Sequence, residues 1–316
     1  MLRMIEQRNR KAAIFNAVAL FTLVVLAVVW TVTALSFQSP QPWRWIWVFV
    51  TLGSGITILA VGRSRPALGW GLVVAALLAV GFWWSSIRPS SDRDWAPDVA
   101  RGVTAEIGGT RVVVHNVRDF DWRTRTEFTP HWETRTYDLD DLISVDLINS
   151  VWANPAVAHT LIRFSFSQGE PLVFSAEIRR EGDEVFSEIG GFFKQFELVL
   201  IAADERDIVR LRSDVRGETV SQFRLRMTPY QARALFLNYL NAGNALDREP
   251  RFYQTVTTNC TTVIYKLAKL VQPGIPADWR ILVSGYLPDY LYDHHLIRTD
   301  LPLAEVRRQA ILRAGP

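Results

Sequence analysis

Three long apolar segments near the N-terminus constrain the fold of this chain more than any other feature. They occupy residues 12–35, 45–61 and 67–84. A helix rises about 1.5 Å per residue, so the first segment is long enough to cross a hydrocarbon layer of about 30 Å. A secretory signal peptide has a shorter apolar core and is not followed by two more apolar segments. We therefore predict a membrane anchor of three transmembrane helices at 1–86, a linker at 87–100 and an outer domain at 101–316.

The distribution of positive residues predicts the orientation of these helices. Basic residues are frequent before the first segment, and Arg63 and Arg65 lie between the second and the third. The loop between the first and second segments carries only Arg44. Because loops rich in arginine and lysine stay in the cytoplasm, we expect a cytoplasmic N-terminus and, after three crossings, an outer domain outside the cytoplasm. In a bacterium this is a multi-pass protein of the inner membrane whose domain faces the periplasm, with the lipid bilayer as its first partner.

The overall charge and the residue inventory argue against several other kinds of partner. The formal net charge is only +3 and arginine is scattered, so no nucleic-acid-binding surface is predicted. A single cysteine excludes an internal disulfide. No glycine-rich phosphate loop is visible, and His294 and His295 have no carboxylate at the spacing of a metal site. We therefore predict neither a cofactor nor a metal.

The only cysteine, Cys260, lies where a polar loop turns into a predicted helix. Small polar residues precede it, and Val263, Leu267 and Leu270 follow at helical spacing. A thiol in the first turn of a helix has a lowered pKa, because unpaired N–H groups and the positive end of the helix dipole favour the thiolate. The same N–H groups can stabilise the oxyanion that forms when a thiolate attacks a carbonyl. Cys260 is therefore a candidate nucleophile.

Two other interpretations of Cys260 stay open at this stage. A lone cysteine is most often a small buried hydrophobic residue. The triplet Asn259, Cys260 and Thr261 also fits the N-glycosylation pattern, which would matter only in a secreted eukaryotic chain. A single unpaired thiol in an oxidising compartment favours a chemical function over both.

A base for the thiol and an orienting group for that base are predicted on two paired strands. Alternation after His159 predicts a strand that begins at this residue, and residues 171–180 predict its hairpin partner. The second strand carries Glu177, and a carboxylate in an otherwise apolar strand needs a partner. His159 and Cys260 are far apart in the sequence, so only the fold can bring them together. We expect His159 to act as the base and Glu177 to orient it.

The remaining patterns predict an α+β domain. Strands are expected at 112–117 and 221–227, a short helix or strand at 140–149, and a helix from Thr228 and Pro229 to about Ala242. The stretch 116–132 is polar and aromatic, and we expect a solvated loop there, with Arg118 as a candidate ligand contact. A cysteine-bearing helix packed on an antiparallel sheet that carries the histidine is the arrangement of papain-like enzymes. Because histidine precedes cysteine here, the arrangement would be circularly permuted.

Several short motifs resemble one bacterial family in the order in which they occur. They are Asn-Val-Arg-Asp-Phe from 116, Trp-Glu-Thr-Arg-Thr-Tyr-Asp-Leu from 132, Ala-His-Thr from 158, Ala-Glu-Ile-Arg from 176, Ala-Asp-Glu-Arg from 203 and Thr-Asn-Cys-Thr-Thr from 258. Between Val112 and Leu270 the chain resembles the Lnb N-terminal periplasmic domain family. The resemblance implies a permuted papain-like domain of the NlpC superfamily, with Cys260 as nucleophile and His159 as base. The orienting role of Glu177 is our inference from strand geometry.

The named member of that family is a lipoprotein N-acyltransferase, which the resemblance extends to this chain as an expectation. The Cys260 thiolate would take an acyl chain from a phospholipid as a thioester and pass it to the N-terminal amine of a lipoprotein. Phospholipid and lipoprotein are thus the expected substrates. The residues expected to contact them are Asn259, Thr261, Tyr253, Trp152, Arg118 and Arg206.

Two alternatives to the acyltransferase remain. A periplasmic peptidase or amidase acting on cell-wall peptide would use the same residues with water as the acceptor. A membrane-anchored binding module would use none of them chemically, and the presence of both Cys260 and His159 argues against it. An apolar groove leading to Cys260 would favour a lipid, whereas an open polar cleft would favour a peptide.

Overall fold

The computed structural model describes residues 1–312, which separate into two compact units. The first unit comprises residues 1–88 together with a short returning segment, 189–195. The second unit comprises the rest of the described chain from Pro89 onward. The prediction of an α+β protein with three long apolar helices at its N-terminus is confirmed.

The first unit is built on three helices that are long and apolar enough to cross a membrane. They are α1 (Leu2–Gln38), α2 (Trp43–Ser64) and α3 (Pro66–Ser86). Leu20, Val24, Ile58 and Val73 form the buried centre of the bundle. Small residues let α2 and α3 approach closely, because a Cβ on Gly69 would lie 2.5 Å from the Cα of Gly62.

The returning segment 189–195 packs against α1 through an aromatic contact and through hydrogen bonds from a side chain to its backbone. The ring of Phe193 stacks on Phe37 with 5.7 Å between centroids. The Gln38 side chain donates from Nε2 to the carbonyls of Phe193 and Lys194, each at 2.8 Å. No sequence pattern indicated this return, because its partners lie more than 150 positions apart.

The second unit contains one large sheet and a small hairpin. The large sheet consists of β1 (Thr104–Gly108), β2 (Arg111–Arg118), β5 (Trp132–Asp138), β6 (Leu142–Val151), β7 (Ala158–Phe166), β8 (Leu172–Arg179), β9 (Glu197–Asp204) and β10 (Thr219–Arg224). Strands β3 (Asp121–Trp122) and β4 (Phe128–Thr129) form the hairpin. The order is β1-β2-β9-β8-β7-β6-β10, and β5 also pairs with β2. The expectation of a purely antiparallel sheet is wrong, because β2 and β9 run parallel.

Five helices complete the second unit. They are α4 (Glu205–Ile208), α5 (Pro229–Arg248), α6 (Cys260–Val271), α7 (Leu287–Asp293) and α8 (Leu303–Ala310). On one face of the sheet, Phe164 and Phe174 pack against Phe236 and Tyr239 of α5. The opposite face buries a second apolar cluster. Burial on both faces fixes the register of β7 and β8, which carry His159 and Glu177.

Local signals placed several of these elements correctly. Thr228 caps α5 through a reciprocal capping box and Pro229 occupies its first turn, although the helix continues to Arg248. The segment 140–149 proves to be strand β6. The stretch 116–132 is not simply a solvated loop, because it folds into the β3–β4 hairpin over buried Phe120.

Candidate active site

A cavity of about 410 Å³ in the second unit collects the residues predicted for catalysis. Cys260, His159 and Glu177 all line it. The strand β7 brings His159, β8 brings Glu177, and the first turn of α6 brings Cys260. Residues that no local pattern connects are thus gathered at one end of the sheet.

The start of α6 is held by a reciprocal cap around Asn259. Its Oδ1 accepts the backbone N–H of Thr262 at 2.8 Å, and the Thr262 hydroxyl accepts the N–H of Asn259 at 2.8 Å. The Asn259 side-chain nitrogen donates to the Thr255 carbonyl at 2.8 Å. Both ends of the carboxamide are therefore occupied within the loop. Asn259 lies on the cavity wall, and its contacts fix the position of Cys260. Its expected contact with substrate stays a prediction.

His159 is anchored through one ring nitrogen to two residues of β8. Its Nε2 lies 2.7 Å from the Ser175 hydroxyl and 3.1 Å from Glu177 Oε1. The Ser175 hydroxyl in turn donates to Glu177 Oε1 at 2.7 Å. The β7–β8 register pairs Leu161 with Ser175, and two residues further along it sets Glu177 opposite His159.

This network determines which nitrogen of His159 serves the thiol. Because the Ser175 proton is given to Glu177, the Ser175 oxygen accepts from Nε2, so Nε2 carries a hydrogen. This assignment leaves Nδ1 as the nitrogen that exchanges a proton with Cys260. Glu177 therefore stands where an orienting group would fix the tautomer of the imidazole.

The electrostatics of the three groups favour an imidazolium–thiolate pair. Burial raises the pKa of the Cys260 thiol, but the charge of His159 and its hydrogen bond to the sulfur lower it more, to about 6. Burial lowers the pKa of His159, but the neighbouring Glu177 carboxylate and Cys260 raise it to about 9. Burial opposes ionisation of Glu177 as well, yet His159, Arg212 and Ser175 hold its pKa far below the usual range.

Arg212 is a member of this cluster that the sequence analysis missed. Its Nη2 lies 3.2 Å from Glu177 Oε1, and its side chain is buried. Arg212 lies within a π-helical turn, Leu211–Val215. Turns of this type are frequent at functional sites. No residue pattern marks this arginine, because its partner Glu177 lies 35 positions earlier, on β8.

Thr261 joins α6 to the histidine strand. Its hydroxyl and that of Thr160 lie 3.1 Å apart, and both residues are buried. Cys260 Sγ is 3.8 Å from the Thr261 hydroxyl. Thr261 lines the cavity, and its contacts pack and position α6 against β7. Its expected contact with substrate stays a prediction.

A loop after β6 forms another part of the cavity wall. Trp152 and Val157 line the cavity there. The Ser284 hydroxyl accepts the N–H of Ala158, and the N–H of Gly285 donates to the Ala156 carbonyl at 3.0 Å. Gly285 allows this approach because a Cβ would lie 1.8 Å from the carbonyl oxygen of Pro155. Tyr253 lines the cavity as well, and the expected contacts of Tyr253 and Trp152 with substrate stay predictions.

The two arginines that were expected to contact substrate are placed differently. Arg118 lies on the cavity wall, but Asp207 holds its guanidinium in a bidentate pair at 2.7 and 2.9 Å. Arg206 lies outside the cavity lining and its side chain is 68% exposed. Asp204, the N-cap of α4, and Asp119 engage its guanidinium. The motif around Arg206 is therefore a helix start, and the expected contact of this residue with substrate stays a prediction.

One group of side chains away from the cavity has the composition of a metal site. Ligand atoms of Asp119, His131 and Glu133 lie within 4.8 Å of one another. Arg206 lies 3.3 Å from Asp119, and Arg135 pairs with Glu133. These cations compete with a metal ion for the carboxylates, so we assign no metal to the group.

The geometry of the cavity supports nucleophilic chemistry at a carbonyl. Cys260 is the first residue of α6, and the first N–H groups of a helix have no partner within the helix. Asn259 takes the N–H of Thr262, which leaves the N–H groups of Cys260 and Thr261 as the candidate donors for an oxyanion beside the sulfur. A thiol, a base and a group that orients the base are the components of a thiol acyl-transfer site.

Comparison with known proteins bears on the whole of this region. A family model described as the Lnb N-terminal periplasmic domain matches residues 128–285, which is half of the chain. The matched range includes Cys260, His159 and Glu177, the residues predicted as thiol, base and orienting group. No curated protein matches the chain, and no solved structure matches it.

Proposed function

The chain belongs to the Lnb N-terminal periplasmic domain family, and on that basis we propose that it is a membrane-bound cysteine acyltransferase. Three candidate membrane spans followed by a domain of this family indicate a bacterial membrane protein with a periplasmic domain. The finer proposal is that the protein resides in the inner membrane. There it would move an acyl chain from a phospholipid, through a thioester on Cys260, to the N-terminal amine of a lipoprotein.

The observation that carries the proposal is the network around His159. A lone buried cysteine would need no neighbouring imidazole, and an imidazole used only for packing would need no anchoring carboxylate. Here Glu177 lies 3.1 Å from Nε2, and the pKa of Cys260 is lowered to about 6 by its neighbours despite burial. A perturbed thiol with a specific charge partner in a cavity is the physical signature of a nucleophile.

In the first half-reaction, the Cys260 thiolate attacks the carbonyl carbon of a phospholipid ester. The new C–S bond forms while the carbonyl oxygen takes up negative charge beside the N-terminus of α6. The C–O bond then breaks, and the departing alkoxide takes the proton from Nδ1 of His159. A lysophospholipid leaves, and neutral His159 remains beside a thioester.

In the second half-reaction, the amine of the acceptor attacks the thioester carbon. His159 accepts the proton that the amine loses as the C–N bond forms. The C–S bond then breaks and the thiolate returns beside the imidazolium. A thioester is more reactive toward an amine than the original ester. Because the lysophospholipid leaves before the amine reacts, the two steps form a ping-pong transfer.

The arrangement of elements also supports a permuted papain-like relationship. In this domain, the cysteine-bearing helix α6 contacts β7 and β8, and the histidine lies earlier in the chain than the cysteine. This is the order that a circular permutation of a papain-like fold would have. We offer it as a proposal about ancestry and mechanism.

The decisive experiment is intact-mass analysis of the full-length protein after exposure to phospholipid. The proposal predicts a mass increase of one acyl chain, which hydroxylamine at neutral pH removes because it cleaves thioesters. Cys260→Ala protein should gain no mass. Wild-type protein that gains none in phospholipid bilayers would refute the acyltransferase proposal.

An amidase is the second candidate, favoured by the charged wall of the cavity. Arginines and carboxylates line it beside apolar side chains such as Ile178 and Phe186. Such a wall could hold a cell-wall peptide, with water as the acyl acceptor. Release of amine groups from purified peptidoglycan peptides, with no acyl adduct from phospholipid, would favour this candidate.

A further inference from the structure

Four guanidinium groups line the cavity of Cys260, and they differ in how fully they are neutralised. Asp207 holds Arg118 bidentately, and Asp98 holds Arg180 in the same way at 2.8 and 3.1 Å. Such pairs place a carboxylate charge directly against each guanidinium. These two arginines are therefore occupied by the protein itself.

The other two are Arg212 and Arg216, and their donors are incompletely used. Arg212 contacts Glu177 through Nη2, but its buried Nε has no hydrogen-bond partner. Arg216 comes no closer than 3.8 Å to its nearest carboxylate, Glu218, which already accepts the Ser150 hydroxyl. Among the described residues, no side chain or carbonyl accepts a hydrogen bond from the Arg216 guanidinium.

The two arginines lie close enough to affect each other. Arg212 lies within the π-helical turn Leu211–Val215 and Arg216 directly follows it. Burial and the charge of Arg212 both lower the pKa of Arg216. Arg212 is buried, whereas the side chain of Arg216 is 33% exposed. Two neighbouring cations in a partly buried wall favour an anion that bonds to the unused donors. The wall of the cavity is thus prepared for a negatively charged group.

We propose that Arg216, with the charge of Arg212 beside it, forms a phosphate subsite that binds the phosphodiester of the acyl donor. This inference deepens the proposed function and rests on it. A phosphodiester carries one negative charge shared by two oxygens, and these oxygens match the donor fork of arginine. Only the glycerol backbone separates that phosphate from the ester carbonyls, so one cavity can hold the phosphate at Arg216 and an ester at Cys260.

The subsite gives the donor its selectivity. A neutral diacylglycerol carries the same esters but no phosphate. It would leave the donors of Arg216 without an acceptor, so the enzyme should acylate Cys260 more slowly from it. Charged hydrogen bonds of this kind correspond to about a tenfold to a hundredfold change in rate.

The test compares two donors with identical acyl chains, phosphatidylglycerol and diacylglycerol, in mixed micelles with full-length protein. The readout is the rate of the hydroxylamine-sensitive adduct on Cys260, measured by intact mass. Arg216→Gln should lower the ratio of the phospholipid rate to the diacylglycerol rate by about tenfold or more. Arg216→Lys should recover part of that ratio, because the charge remains while the bidentate geometry is lost.

The matched control is Arg210→Gln, which removes an arginine from the same segment. Arg210 is 56% exposed, pairs loosely with Asp214 and is outside the cavity lining. The rate ratio should stay at the wild-type value in this variant. Thermal melting of each variant shows whether the fold is retained, and Arg216→Lys carries the test if Arg216→Gln does not fold.

Three outcomes would overturn the subsite. An unchanged rate ratio in Arg216→Gln would show that the arginine does not contact the phosphate. Protection of Cys260 from alkylation by a peptide carboxylate, but not by a lysophospholipid, would assign the arginines to a peptide. If wild-type protein forms no adduct with either donor, the acyltransferase proposal itself fails and the subsite fails with it.

Discussion

Replacement of Glu177 by glutamine should abolish the unusual ionisation of Cys260 while leaving the fold intact. In the wild type, a thiol pKa of about 6 means that about nine-tenths of Cys260 is thiolate at pH 7. An ordinary cysteine, with a pKa of about 8.5, is only about 3% thiolate at that pH. The surroundings of Cys260 therefore raise its thiolate population by about thirtyfold.

The expected size of the effect follows from what supports His159. The Glu177 carboxylate raises the pKa of His159 to about 9 against the opposing effects of burial and Arg212. In Glu177→Gln, burial and Arg212 remain, so the pKa of His159 should fall to about 6.5 or lower. At pH 7 the imidazolium then becomes the minor form. The thiol loses its charge partner and its pKa rises toward the ordinary value, so the thiolate population falls by about tenfold to thirtyfold.

The measurement is the rate of alkylation by iodoacetamide as a function of pH, followed by intact mass. Because Cys260 is the only cysteine, there is no background from other thiols. The midpoint should lie near pH 6 in the wild type and above about 8 in Glu177→Gln. Glu170→Gln, in the exposed turn of the same hairpin, is the matched control and should keep the wild-type midpoint. A midpoint that stays near 6 in Glu177→Gln would refute the role assigned to Glu177.

Three further predictions concern pH, packing and topology. The rate of acyl transfer should have a bell-shaped pH profile. The thiolate of Cys260 is lost as pH falls through about 6, and the imidazolium of His159 is lost as pH rises through about 9. A rate that keeps rising above pH 10 would contradict catalysis by the imidazolium–thiolate pair. Thr261→Val leaves the buried hydroxyl of Thr160 without its partner and should lower the free energy of unfolding by about 1–3 kcal/mol in denaturant titrations. Thr261→Ser keeps a hydroxyl and should lower it less. Equal stability of the two variants would show that the hydrogen bond contributes nothing. An enzyme reporter that is active only outside the cytoplasm, fused after the last residue, should be active; activity of a cytoplasmic reporter there would overturn the orientation.

Elements that depend on neighbouring residues were predictable from the sequence. The start of α6 follows from Asn259, whose side chain caps the helix, and the start of α5 follows from Thr228 and Pro229. The strand that begins at His159 and its hairpin partner follow from alternation of apolar residues. In each case the information lies within a few positions, because capping and pleating are local interactions.

Contacts between distant residues were not predictable in the same way. Arg118 was expected to be free for a ligand, but Asp207, 89 positions later, neutralises it. Arg212 joins the site only because a π-helical turn places it beside β8. The parallel pairing of β2 with β9 also depends on how the whole sheet is assembled. A single sequence holds no signal for these pairings. The residue types involved occur just as readily at exposed positions, so their presence does not reveal a distant partner.

The charges at the site constrain its chemistry further than the individual contacts do. In the resting state, the cations His159 and Arg212 balance the anions Glu177 and Cys260 in a half-buried cluster. In the proposed cycle, acylation removes the thiolate charge, and the same step removes the imidazolium proton with the leaving group, so the cluster is neutral again as a thioester. Because burial makes an uncompensated charge costly, each resting stage of the cycle is stabilised only if proton transfer accompanies acyl transfer. Arg216 is not needed in this balance at either stage, and its charge is therefore available to an anionic substrate.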